Sequence, residues 1–114
     1  MNAKTPECWA SEPQARSLRV ELSADHSILL PHDEFAFGEI KRDGKTQTFR
    51  LVFAGHEVLI CGHSLRRVET AMQRMELSFL TVLPGNQQSL IPDGQPVIVK
   101  IIVTELGSNE PGEK

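Results

Sequence analysis

Thr46–Met75 reads TQTFRLVFAGHEVLICGHSLRRVETAMQRM, and it decides the fold class because a two-residue period gives way within it to a helical one. In Thr46–Phe53, Gln47, Phe49, Leu51 and Phe53 share one face, with Thr46, Thr48, Arg50 and Val52 on the other. Strand side chains alternate, so this pattern buries two phenylalanines and a leucine and leaves Thr and Arg in water. Ala54-Gly55 permits a tight turn. His56–Cys61 follows, with Val58 and Ile60 on one face and Leu59 and Cys61 on the other. Two apolar faces predict a central strand.

Gly62 ends that strand. Leu65, Val68, Met72 and Met75 then recur at spacings of three and four, the stripe of an amphipathic helix near residues 64–76. Ser64 is the expected N-cap, although Arg67 stands where a capping box needs Glu or Gln. A helix of about three turns is marginal alone, so it must pack its stripe on a sheet.

The remaining elements are strands. Ser17–Leu22 places Leu18, Val20 and Leu22 inward, and Ile28–Leu30 is a short apolar strand stopped by Pro31. His32, Asp33 and Glu34 read as a polar connection. Phe35–Lys41 leads through Arg42-Asp43-Gly44-Lys45, the strongest turn signal in the chain, into Thr46–Phe53 as a hairpin. Leu77–Leu83 and Pro96–Leu106 are apolar on both faces. The loop between them, Pro84–Gly94, includes the apolar Leu90 and Ile91, so part of it is expected to pack down. Short links between strands imply mostly antiparallel pairing. The expected fold is α+β: a β meander of six to seven strands, closed as a barrel or folded as a sandwich, with one helix.

The chain has 114 residues, enough for one β-rich domain, placed at 17–106. Met1–Arg16, with Pro6, Pro13 and no apolar period, reads as a flexible arm, and 107–114 as a polar tail. Trp9 in that arm is either docked on the body of its own or a neighbouring subunit, or incidental.

Twelve basic and fifteen acidic residues give a net charge of −3, which argues against nonspecific nucleic-acid binding. One tryptophan and no tyrosine offer no stacking platform for single strands. No apolar run reaches the ~20 residues of a membrane helix, and no secretory h-region stands at the N-terminus. Cys8, in the arm, and Cys61, in a strand, read as free thiols of a reducing cytoplasm.

Candidate chemistry is sparse. His56, Cys61 and His63 are ligand types for zinc, but Cys61 and His63 share a strand face that His56 does not. His63, Arg66 and Arg67 at the helix start form a candidate anion or small-ligand site, since free amides and two guanidinium groups converge there. No G-x-S-x-G elbow and no Gly-rich phosphate loop is present, which weighs against an enzyme, although a site assembled from distant residues leaves no such motif. No cofactor is implied. The excess of two-sided apolar strands over what one helix covers points instead to a non-catalytic interaction or assembly module, with a second copy or another protein as partner.

Overall fold

The computed structural model describes residues 7–106. Eight strands among them form two four-stranded sheets, joined by two short helices and one 3-10 turn. The class is α+β, and the sheets do not close into a barrel.

One sheet is antiparallel throughout, in the order β4 (Phe35–Asp43), β5 (Thr46–Phe53), β6 (His56–His63) and β8 (Val97–Glu105). The other has the order β1 (Trp9–Ser11), β7 (Leu77–Thr81), β2 (Ser17–Ser23) and β3 (His26–Pro31). Its β7 runs antiparallel to β1 and parallel to β2. Three connections cross between the sheets: the 3-10 turn His32–Glu34, the helix α1 (Arg66–Gln73), and the segment through α2 (Gly85–Gln88). A single buried cluster draws on both sheets and the helix: Leu18, Val20, Leu77 and Leu80 from one sheet, Phe49, Leu51, Val58 and Ile60 from the other, and Leu65, Val68 and Met72 at α1.

The faces read from the alternation hold for β5 and β6, whereas the register shift between Phe35 and Phe37 puts these two, expected on one face of β4, on opposite faces. Phe49, Leu51 and Phe53 are buried, as are Val58 and Ile60, and β6 lies centrally between β5 and β8. The hairpin between β4 and β5 also forms, but Asp43 pairs with Thr46, so the two turn residues are Gly44 and Lys45. Gly44 takes the left-handed φ of +64° that the turn needs.

Several expectations are corrected. Residues 7–16 do not form a loose arm: Trp9 pairs with Leu80 and Ala10 with Phe79, and the Glu12 amide donates to the Glu76 carbonyl at 2.8 Å. Trp9 is therefore docked on its own chain, half-buried against the core. A three-residue strand is too short to show an alternation, which is why β1 leaves no periodic signal. Residues 1–6 and 107–114, read as arm and tail, lie outside the described residues. His32 is buried rather than part of a polar link, and its Nε2–H donates to the Leu77 carbonyl at 2.8 Å, pinning one crossover to β7. Its Nδ1 is buried with no partner among the described residues. In the loop before β8 only part packs down, as expected: Ile91 is half-buried and Leu90 is 63% exposed.

The helix is shorter than its stripe. Ser64 provides no cap; it takes a φ of +55°, and the Leu65 amide is satisfied instead by Gln47 Oε1 at 2.8 Å, reaching from β5. Met75, the last residue of the stripe, lies past the helix end with a φ of +58°. There the Glu76 amide donates to the Ala71 carbonyl and the Met75 amide to the Met72 carbonyl, at 2.8 and 2.9 Å. This is the Schellman arrangement with a methionine where glycine is preferred.

Two substitutions test these termini and the sheet packing. Met75→Gly removes left-handed strain from a partly exposed residue and is expected to stabilise the fold by up to about 1 kcal/mol in urea melts; a loss of stability would contradict the strain. At Gly62 an added Cβ falls inside the envelope of the Val97 carbonyl and 3.1 Å from Ile98 Cα, so Gly62→Ala is expected to cost about 1–3 kcal/mol or more. Unchanged stability would mean that β8 does not approach β6 so closely.

Candidate functional site

The outer face of the β4-β5-β6-β8 sheet and its β8 edge carry the exposed Phe37, Val99 and Ile102. Register fixes the rows of that face. Phe37, Val52, Glu57 and Thr104 form one row, Glu39, Arg50, Leu59 and Ile102 the next, and Lys41, Thr48, Cys61 and Lys100 the third. Arg50 sits at the centre, 2.9 Å from Glu57 and 3.5 Å from Glu39, with its guanidinium 5.2 Å from the Phe37 ring centroid. The hydrogen bond to Glu57 raises the Arg50 pKa, and the pairs hold the side chain flat across the sheet. Such exposed pairs stabilise little, but they leave an apolar diagonal of Phe37, Val52, Leu59 and Ile102 beside the charges.

The four sheet edges differ. β1 has three residues, and β3 has six and ends at Pro31. β4 carries Glu39, Lys41, Arg42 and Asp43, with a register shift between Phe35 and Phe37. Short length, Pro, charge and bulges all discourage edge pairing. β8 has nine residues, seven of them β-branched, and Lys100 and the terminal Glu105 are its only charges. A bulge at Val99 lies opposite the Cys61–Gly62 step, and beyond it Ile101–Glu105 pairs in regular register on the β6 side. Val99 and Ile102 are 42% and 39% exposed. No described residue continues the sheet past β8.

The residues singled out from the helix start go to different partners. His63 Nδ1 meets the Lys45 carbonyl at 3.0 Å, and Arg66 is exposed. Arg67 turns toward the loop before β8, where its Nη1 donates to Gln95 Oε1 at 3.3 Å. It lines a cleft of about 460 Å³ with Trp9, Ile91 and Pro96, and neither His63 nor Arg66 is among the lining residues. Sequence spacing could not place Trp9 there, because β1 reaches the cleft only through its pairing with β7.

His56 and Cys61 fall on opposite faces of β6, since His56 shares the parity of the buried Val58 and Ile60. Among the described residues no group of three or more His, Cys, Asp and Glu is placed to hold a metal ion. None of their helices is long and apolar enough to cross a membrane.

Of the two thiols, Cys8, read as part of the arm, is the buried one. Cys8 is 1% exposed, with Sγ 3.4 Å from the Pro96 carbonyl, and burial pushes its pKa up. Cys61 is half-buried on the outer face. A thiol reagent is therefore expected to label Cys61 in the native protein and Cys8 only on unfolding, giving one fast equivalent by mass spectrometry; two equally fast thiols would contradict the burial of Cys8.

No family model, no curated protein and no solved structure matches this chain.

Proposed function

We propose that this protein is a non-catalytic assembly module that self-associates through β8, two copies pairing their last strands antiparallel to extend one four-stranded sheet to eight. The observation that carries this reading is the contrast among the edges: three are short, proline-ended or charged, while β8 presents a long β-branched rim. An unpaired row of amides and carbonyls on such a strand is a template for another strand. A second copy supplies a rim of matching length and chemistry, and a two-fold axis through the pair makes the contact self-complementary and closed. On the outer face the same axis would bring Leu59 and Ile102 of both copies side by side, extending the apolar diagonal across the junction. The two free thiols fit a reducing cytoplasm.

Light scattering after size exclusion tests the reading. The parent is expected to run as a dimer at tens of micromolar. Val99→Lys/Ile102→Lys puts two charges on the exposed rim and is expected to give a folded monomer with an unchanged circular dichroism spectrum. A monomeric parent would sink the proposal, and so would a variant that remains dimeric.

A further inference from the structure

The cleft beside Arg67 is lined by none of the β8 residues Val97–Glu105. It forms where β1, at the margin of one sheet, passes the loop that enters β8 in the other. Its two sides are fixed independently of any ligand. β1 is held to β7 by its ladder, and the Thr81 amide donates to the Cys8 carbonyl at 2.9 Å. The loop is anchored where buried Cys8 meets the Pro96 carbonyl. The volume of about 460 Å³ falls in the range of small-molecule sites, and the lining is more polar than apolar.

The lining indicates the ligand class. Trp9 supplies an aromatic wall, and Ile91, Pro92 and Pro96 supply aliphatic surface. Among the described residues that line it, Arg67 is the only cation. Its sole side-chain partner among the described residues is the neutral Gln95 amide, and it belongs to none of the ion pairs they form. The planar guanidinium fork is thus open to a carboxylate, which it matches with two parallel hydrogen bonds. Glu7 lines the same cleft without pairing with Arg67. Its charge repels any anion and a dianion about twice as strongly, so of the two a monoanion is disfavoured less. We infer that the Trp9–Arg67 cleft binds a small aromatic monocarboxylate, its ring against Trp9 and its carboxylate on Arg67.

Trp9 is the only tryptophan in the chain, so its emission reports the site directly. Benzoate is the probe, with benzyl alcohol lacking the charge and inorganic phosphate lacking the ring. Titrating the full chain with benzoate is expected to give a saturable change in Trp9 emission with a millimolar midpoint, and saturation-transfer NMR should show contact between the benzoate ring and the protein. Arg67→Gln, checked for an unchanged melting temperature, is expected to weaken benzoate about tenfold or more, and Arg67→Lys less. Benzyl alcohol or phosphate binding as tightly as benzoate would overturn the inference, as would equal affinity in Arg67→Gln. Absence of both the emission change and the saturation transfer in the parent would overturn it outright.

Discussion

The structure depends on one shared interior. Neither sheet could keep its apolar face dry with α1 alone, because eight helical residues cover only a few strand positions. The inner faces instead share one buried cluster, with Leu65, Val68 and Met72 joining them at the helix. Burial at roughly 25 cal/mol per Å2 is the dominant favourable term in a chain of this size, and here it requires both sheets at once. Most of the apolar strand surface that one helix could not shield is accounted for in this way. What stays outside is narrower than the strand patterns suggest: the diagonal from Phe37 to Ile102 and the rim of β8.

The crossovers translate that constraint into local geometry. His32 hydrogen-bonds across to β7 at one of them, and Gln47 accepts from the Leu65 amide at the start of the helix from within β5 at another. The bulge at Val99 turns β8 so that the Val97 carbonyl lies against Gly62, the one place where a side chain on β6 has no room. Left-handed residues stand on both flanks of α1, Ser64 before it and Met75 after it, so the helix enters and leaves by sharp reversals of direction. Short helices with such flanks are positioned by their surroundings more than by their own propensity.

The strands were readable where alternation was long enough to count. Thr46–Phe53 matches its predicted bounds, and the central position of β6 followed from two apolar faces. The position of β8 did not follow: the same two-sided pattern sits at an edge, because periodicity records how greasy a strand is and not which neighbours it finds. β1 was invisible, since three residues between prolines carry no period. The stripe of α1 overran its helix because Met75 keeps the 3.6 spacing while its backbone has already turned left-handed. The candidate ligand residues were legible only as types. Arg67 could be named, but its neighbour Trp9 lies far away in the chain, and only the pairing of β1 with β7 brings them to one cleft.

The insertion of β7 between β1 and β2 bears on how the chain reaches its native state. Those two strands lie near the N-terminus, yet the strand that separates them emerges only after the whole β4-β5-β6 meander and α1. The contact from Thr81 Oγ1 to the Glu21 carbonyl spans 60 positions of chain. On a ribosome, the meander can form its hairpins while the first strands still wait for their middle member. The second sheet is then completed by long-range closure, a slow and entropically costly step. Until β7 arrives, β2 exposes an open flank, and that interval is when the nascent polypeptide is most vulnerable to pairing with the wrong strand.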